Sequence, residues 1–292
     1  GDSSAIPTTL VSKIAIKDVK VALSADAGDE IFAGYGNYSY FLNQYNNFNK
    51  VPDSLRHLLA KSILAVRPYT RSLSGLFYNL DTRLGKLPDL LKSKSPVHFN
   101  EILNQYFTEY EIDELILGKT EQPFKTSFKD AVDKDFNDFM NLQLAIGYKT
   151  FLVDDILTKV DRATMSVSLE GREPLLDHRI IEYVAQLPSD YKFHEGQTKY
   201  LLKEIAHRYI PKQLIDRPKM GFSIPVEKWL KGDLRYLVEN YLSKESVDRV
   251  GLLNSEIVGK MNNDFLNGRR FNFSKIWFVL MFQMWAEKWI KG

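Results

Sequence analysis

One short β-branched strand in an otherwise helical sequence limits the folds open to this chain. Residues Val19 to Leu23 are mostly apolar on both faces, which favours an interior parallel strand over a half-exposed one. The residues before it, with Pro7 near their start and one apolar face, predict a helix. The polar segment SADAGDE, residues 24–30, follows directly. Because open α/β sheets place their ligands at the carboxyl ends of parallel strands, this segment is a candidate site.

Three carboxylates are crowded into that segment, those of Asp26, Asp29 and Glu30. Neighbouring acids raise one another's proton affinity unless solvent or a cation compensates, so the cluster suggests a divalent cation. Magnesium usually takes one or two protein carboxylates, with phosphate oxygens and water supplying the other ligands. The pattern therefore suggests a nucleotide as well as a cation.

The small residues of the segment are compatible with a close ligand. Ala25, Ala27 and Gly28 would let a ligand lie against the backbone, where amides could face phosphate. The alternative is an acidic turn that caps a helix beginning near Ile31, with its carboxylates at the positive end of the helix. The segment has neither the glycine-lysine spacing of a P-loop nor the three-glycine pattern of a dinucleotide fold.

Composition removes several classes of function. The 292 residues are 44% hydrophobic and carry a formal net charge of +2, so a sizeable core is expected and no overall field favours nucleic acid or an anionic membrane. There is no cysteine, which excludes disulfides, thiolate metal sites and a cysteine nucleophile within the chain. The five histidines are scattered without metal-ligand spacing. No run approaches the length of a membrane span, so we expect a cytoplasmic protein.

The rest of the sequence is predicted to be mainly helical. Residues 41–149 show helical periodicity broken by prolines, and their aromatic residues are predicted to lie in a core because they lack the interleaved Arg and Gly of a base-stacking surface. The segment LLDHRIIEYVAQLP predicts a short helix capped by Asp177 and ended before Pro188. The loop DRPKMGFSIPVEKWL, in which prolines and glycine forbid a continuous helix, carries Arg217 and Lys219.

A single helix is predicted from Leu152 to Glu170, with a stripe of alternating charge along one side. The stripe contains Asp155, Lys159, Arg162, Ser166 and Glu170. It indicates either a surface near a site or a solvated face in which Asp155 pairs with Lys159 at i,i+4 spacing.

Three ordered blocks resemble the synthetase domain of glutamine-hydrolysing asparagine synthetases. DSSAIPT and LSADAGDEIFAGYGNY are similar to the family's Ser-Gly-(Glu/Asp)-Gly-x-Asp-Glu loop and its surroundings. KVDRATMSVSLEGREPLLD is similar to its Lys-x-Asp-Arg-x-(Ser/Thr)-Met…Glu-x-Arg-x-Pro-Phe-Leu-Asp block, and RPKMGFSIPVEKW to its Arg-x-Lys-x-Gly-Phe-x-x-Pro-x-x-x-Trp loop. The blocks span residues 2–230 in the family's order.

The resemblance implies ATP-dependent amide synthesis. ATP activates a carboxylate, usually that of aspartate, as an acyl-adenylate, and ammonia from a glutaminase displaces AMP. By position, Ser24, Ala25 and Gly28 would meet the nucleotide, and Asp29 would help to hold Mg²⁺ on the pyrophosphate. Asp26 would take a proton from the attacking amine, and Lys219 would stabilise charge on the adenylate and pyrophosphate.

The sequence departs from the family in two ways. Ala25 and Ala27 replace glycines of the loop, which could alter the substrate pocket. The family's pyrophosphate loop and glutaminase cysteine are not in the chain, so we expect both upstream of Gly1, in a protein about twice as long. The isolated chain should then be nearly inactive.

The predicted fold is α/β and predominantly helical: a partial adenine-nucleotide-binding domain of the PP-loop ATP pyrophosphatase type with few parallel strands. Residues 1–50 would be a remnant of the nucleotide-binding sheet and residues 51–292 its helical part. Expected partners are aspartate or another carboxylate, ammonia from an upstream glutaminase, and a second copy in a homodimer, with no nucleic acid or membrane. Two alternatives stay open: amidation of a surface-sugar or secondary-metabolite carboxylate, and a non-catalytic helical module.

Overall fold

The computed structural model describes residues 2–73, 80–93, 95–118, 138–216, 224–268 and 272–290. Helices dominate these residues, and the strands within them form two two-stranded sheets. The prediction of a mainly helical α/β chain with few strands is confirmed at this level.

The first sheet joins two distant parts of the chain. Strand β1 (Val21–Leu23) pairs in parallel with β2 (Glu170–Arg172), with Val21 opposite Glu170 and Leu23 opposite Arg172. The parallel pairing confirms one prediction, but the predicted interior position is wrong. Val21 is 38% exposed and Leu23 73% exposed, because within the described residues β1 has a strand on one side only.

Helix α1 (Ala5–Ala15) precedes β1 as predicted and packs against α9 (Thr158–Met165). The helix predicted from Leu152 to Glu170 is wrong in its extent. The chain forms a π-helical segment at Leu152–Leu157, continues as α9, and then turns at Ser168, whose φ is 62°. Pairing with β1 takes Glu170 into a strand, since backbone hydrogen bonds between strands outweigh the helical side-chain pattern.

The middle of the chain is a helical layer with an aromatic core. It contains α2 (Gly28–Ile31), α3 (Gly36–Asn49), α4 (Asp53–Leu73), α5 (Leu80–Leu91), α6 (Pro96–Asn104), α7 (Glu109–Leu115) and α8 (Phe139–Lys149). Phe41, Phe99 and Phe139 are buried together, and Tyr45 stacks on Phe139 with ring centroids 4.0 Å apart. Phe99 confirms the core position predicted for the aromatic residues of this region, whereas Tyr106 is 51% exposed and contradicts it.

The C-terminal part begins with α10 (His178–Gln186), whose N-terminus is capped by Asp177 and which ends before Pro188, as predicted. A hairpin of β3 (Phe193–His194) and β4 (Gln197–Thr198) follows. The remaining helices are α11 (Tyr200–Ala206), α12 (Lys212–Ile215), α13 (Val226–Lys231), α14 (Arg235–Tyr241), α15 (Lys244–Val250), α16 (Ser255–Leu266) and α17 (Phe273–Trp289). Among the described residues, none of the helices has the length and apolar character needed to cross a bilayer.

The division predicted at residue 50 coincides with the end of α3. The first sheet takes β1 from one predicted segment and β2 from the other. The two-segment division itself stays a prediction.

Candidate functional site

The acidic loop, residues 24–30, leaves the carboxyl end of β1. Its first residue extends the sheet, because the Ser24 N–H donates to the Arg172 carbonyl at 2.8 Å. The Ser24 hydroxyl then donates to the Asp26 carboxylate and accepts from the Asp26 N–H at 3.1 Å. The carboxylate of Asp26 is therefore fixed close to the strand end, where a ligand of an α/β sheet would lie.

The loop turns tightly at Ala27 to begin α2. Ala27 has φ 72° and is fully buried, an uncommon conformation for a residue with a Cβ. A Cβ on Gly28 would lie 3.0 Å from Leu175 Cδ1, so the helix start packs closely on the segment after β2. Two of the small residues predicted to meet a nucleotide thus also serve packing within the protein.

Asp29 is held by an ion pair that the sequence did not reveal. Its Oδ1 lies 3.1 Å from Lys199 Nζ, and the two side chains are 22% and 27% exposed. The backbone of Lys199 is fixed as well, since its N–H donates to the Phe32 carbonyl at 3.0 Å. A Cβ on Gly34 would lie 2.0 Å from Asp29 Oδ1 and 2.2 Å from Lys199 Cε, so only glycine leaves room for this pair.

Glu30 is buried behind the loop, with 1% of its surface exposed. The Tyr35 hydroxyl donates to its Oε1 at 2.6 Å. Burial raises the pKa of Glu30; the hydrogen bond from Tyr35 opposes this, and the charges of Asp29 and Asp26 add to it. Burial and the contact with Glu30 raise the pKa of Tyr35 too, which keeps its phenol a donor.

A fourth carboxylate approaches from β2. Burial raises the pKa of Glu173, and the charge of Asp26 raises it further, which places the two acids near each other. Glu173 also lines a cavity of about 560 Å³ together with Asp161, Glu170 and Gly171. Glu173 thus belongs both to the acidic residues at the carboxyl ends of the two strands and to this cavity, which is not lined by residues 24–30.

Lys159, which the stripe hypothesis placed near the candidate site, has its partners in the N-terminal segment. Its Nζ lies 3.2 Å from Asp2 Oδ2 and 3.0 Å from Ser4 Oγ. In the part of the chain that is described, no direct ion pair joins Lys159 to Asp155, although the charge of Lys159 opposes the rise that burial causes in the pKa of Asp155. The direct i,i+4 pair of the solvated-face alternative is therefore not formed. Arg172 pairs with Glu170 at 2.7 Å on the surface.

Lys219, the predicted catalytic lysine, lies outside the described residues, as does Arg217. Of the predicted site, the structure thus places Ser24, Ala25, Asp26, Gly28 and Asp29 in one loop. The role of each stays a prediction.

The donors of the loop suit a magnesium ion bound together with a ligand. Magnesium prefers oxygen donors and takes few of them from protein, so a single anchored carboxylate such as that of Asp29 meets its requirement. No group of three acidic, histidine or cysteine side chains within the described ranges could hold a metal ion by itself.

Comparison with known proteins decides the family. The family model described as Asparagine synthase matches residues 1–287. The chain belongs to the asparagine synthase family. It is 30% identical over 284 residues to "Asparagine synthetase [glutamine-hydrolyzing] 1" of Bacillus subtilis, an alignment that covers 97% of this chain and 43% of that protein.

Two further relatives are less similar to this chain. A "Putative asparagine synthetase [glutamine-hydrolyzing]" of Mycobacterium bovis is 28% identical over 285 residues, covering 97% of this chain and 42% of the relative. "Amidase chyE" of Penicillium rubens is 23% identical over 270 residues, covering 84% of this chain and 38% of the relative. The chain thus spans less than half the length of these relatives.

Sequence reasoning missed Lys199, Tyr35 and Glu173 as neighbours of the acidic loop. Lys199 begins a helix and Glu173 precedes a proline, and neither has a local signal that distinguishes it from a surface charge. Gly34, inside FAGYG, was a signal in the sequence that another group packs closely against the backbone, because glycine is often found where there is no room for a side chain.

Proposed function

We propose that this chain is the C-terminal part of an ATP-dependent amide-forming ligase. In the proposed reaction a carboxylate of aspartate attacks the α-phosphorus of ATP, which gives an acyl-adenylate and releases pyrophosphate. Ammonia then attacks the acyl carbon, loses a proton, and displaces AMP to leave asparagine. The ammonia comes from glutamine hydrolysed elsewhere in the whole protein.

One observation supports this proposal above the others: Asp29 is held by Lys199 in a loop at the carboxyl end of a parallel strand. An anchored carboxylate at that edge suits a cation bound to phosphate. Magnesium, when bound, would neutralise charge on the pyrophosphate. Membership of the asparagine synthase family supports the same role for the loop.

Further residues take roles by their position in the family's motifs. Asp26, whose carboxylate accepts a hydrogen bond from Ser24, would take a proton from the attacking ammonia. The loop lysine Lys219 would stabilise developing negative charge, and the backbone at Ser24, Ala25 and Gly28 would contact the nucleotide. We infer that the fold is a PP-loop ATP pyrophosphatase type completed by residues upstream.

The test is conversion of ATP to AMP and pyrophosphate by the whole protein that contains these residues, with aspartate and ammonia. Asp29→Asn should lower the rate by a factor of about 100 or more, since it weakens charge stabilisation in the transition state. Asp248→Asn, an exposed site on α15, is the matched control and should leave the rate unchanged. Equal rates for wild type and Asp29→Asn would contradict the role of Asp29. Brisk turnover by the isolated chain would contradict the need for an upstream part.

A different carboxylate substrate has specific support. Buried Ala27 adopts a left-handed conformation at a position where the family's loop has glycine, and its methyl group would change the shape of a substrate pocket formed there. One relative carries the name of an amidase instead of an asparagine synthetase. Measuring AMP formation with a panel of carboxylic acids distinguishes aspartate from another carboxylate as the substrate. Turnover with another acid and none with aspartate would show that asparagine is not the product. Absence of magnesium-dependent nucleotide binding would favour a non-catalytic module.

A further inference from the structure

A second cavity, of about 770 Å³, lies between the middle helices, the π-helical segment and the residue before α17. Its volume is in the range of small-molecule sites. Much of its wall is aromatic or aliphatic: Tyr35, Tyr38, Phe41, Leu103, Tyr106 and Ile146. The carboxylates of the acidic loop are not among its lining residues. Tyr35 lies between the two regions, since it lines this cavity and its hydroxyl contacts Glu30.

The wall contains the buried side-chain amide of Gln143. Gln143 is 1% exposed, and its Nε2 donates to the Tyr38 carbonyl at 3.3 Å. Its Oε1 has no partner among the described residues although it is buried. An unsatisfied buried acceptor costs about 1–3 kcal/mol, so a ligand that supplies an N–H here would recover that energy.

Lys86 is a further polar residue of the same wall. Lys86 Nζ donates to the Leu103 carbonyl at 3.1 Å, and none of the described carboxylates pairs with it. Burial and, to a smaller extent, the charge of Lys275 lower its pKa to about 8, although the charge of Glu111 opposes the shift. An ammonium group with further donor capacity is thus available to an anion, and charge-assisted hydrogen bonds are strong.

Two acidic residues also line the cavity, Asp154 and Asp155. Burial and the charge of Asp2 raise the pKa of Asp155, while the charge of Lys159 opposes this. The cavity therefore presents a cation, acidic groups, a free acceptor and an apolar wall together, which are the features that recognise a zwitterion with an apolar side chain.

We propose that this cavity is a second small-molecule site, which binds an aromatic α-amino acid. Its carboxylate pairs with Lys86, its ammonium group donates to Gln143 Oε1, and its ring packs among Tyr38, Phe41 and Ile146. The proposal is independent of the function proposed for the acidic loop.

Isothermal titration calorimetry with L-phenylalanine tests it on the full chain. L-Phenylalaninamide, which lacks the carboxylate, and 3-phenylpropionate, which lacks the ammonium group, are matched probes, and each should bind roughly tenfold more weakly. Affinity for L-phenylalanine should fall as the pH rises through about 8, because Lys86 then loses its charge. No measurable binding of L-phenylalanine at millimolar concentration, or equal affinity for the three probes, overturns the proposal.

Variants locate the binding. Lys86→Gln and Gln143→Met should each weaken L-phenylalanine binding, the first by roughly tenfold. Lys92→Gln, an exposed lysine just after α5, is the control and should bind as wild type does. The Asp29→Asn variant should also bind L-phenylalanine as wild type does. Weaker binding by this variant would indicate that the ligand lies at the acidic loop and would contradict the proposal. Circular dichroism checks folding, and should Lys86→Gln fail to fold, the three-probe comparison on wild type still decides.

Discussion

At the scale of single residues, Gly34 has the least room for a side chain in the candidate site. Gly34→Ala places a methyl group within about 2.0 Å of Asp29 Oδ1, so the ion pair with Lys199 has to separate. Because both side chains are flexible and partly exposed, we expect a loss of stability of only about 1 kcal/mol or less, measured by urea unfolding, and a loss of ATP turnover in the whole protein. Gly259→Ala is the control. It meets no atom within 4 Å in the middle of α16, and should be neutral or stabilising by up to ~1 kcal/mol.

The buried carboxylate of Glu30 is expected to make the stability of the protein depend on pH. Its folded pKa lies above the ordinary value of 4.5, so the native state binds more protons than the unfolded state between those two values. The contribution of Glu30 to stability therefore falls as the pH rises through that window and stays low above it. Glu30→Gln removes the titration and keeps an acceptor for Tyr35.

Urea unfolding at pH values of about 4.5 and 7 checks this prediction. Stability of wild type relative to Glu30→Gln should be lower at the higher pH. Glu245→Gln, an exposed site on α15, should show no such trend. A relative stability that rises with pH would contradict the buried position of Glu30.

At the scale of elements, α17 organises the C-terminal core. Its residues Ile276 and Leu280 are fully buried and pack with Val238 and Val258 from neighbouring helices, whereas Trp289 is 67% exposed. Leu280→Ala should cost about 2–5 kcal/mol because it leaves a cavity in that core. Trp289→Ala should cost about 1 kcal/mol or less. Similar losses for the two variants, measured by thermal unfolding, would contradict this packing.

The same helix shows what periodicity alone could and could not decide. A broad apolar face is evident in FSKIWFVLMFQMWAEKW, and a helix forms at Phe273–Trp289. The apolar residues, however, surround the helix, so the pattern does not select a buried side. Contacts with α14, α15 and α16 bury Ile276 and Leu280 and leave Trp285 51% exposed.

At the scale of the whole molecule, Lys159 ties the N-terminal segment to α9. Its side chain and that of Asp2 are 12% and 23% exposed. Lys159→Met leaves Asp2 without this cation, and we expect a loss of about 1–3 kcal/mol in urea unfolding. Arg172→Met breaks an exposed pair, 61% and 57% exposed, and should cost less than about 1 kcal/mol.

The Asp2 contact has a pH signature of its own. Burial acts to raise the pKa of Asp2, but hydrogen bonds from Ser4 and the charge of Lys159 outweigh it and lower the pKa below 3.8. The resulting stability is present above 3.8 and is lost as the pH falls through the folded pKa. The difference between wild type and Lys159→Met should therefore shrink in acid. A constant difference would mean that Asp2 does not take part.

Features that depend on residues close together in the chain could be predicted from the sequence. Asp177 caps α10 through the N–H of Arg179 two residues later, and the acidic residues follow β1 directly. Both the helix cap and the acidic loop could therefore be predicted from neighbouring residues. The motifs that carry the family resemblance are local too. Only the folded chain brings Asp29 to Lys199, Glu173 towards Asp26, and Glu170 into a strand opposite Val21. Those contacts join residues far apart in the chain, where neither helical periodicity nor capping chemistry leaves a signal.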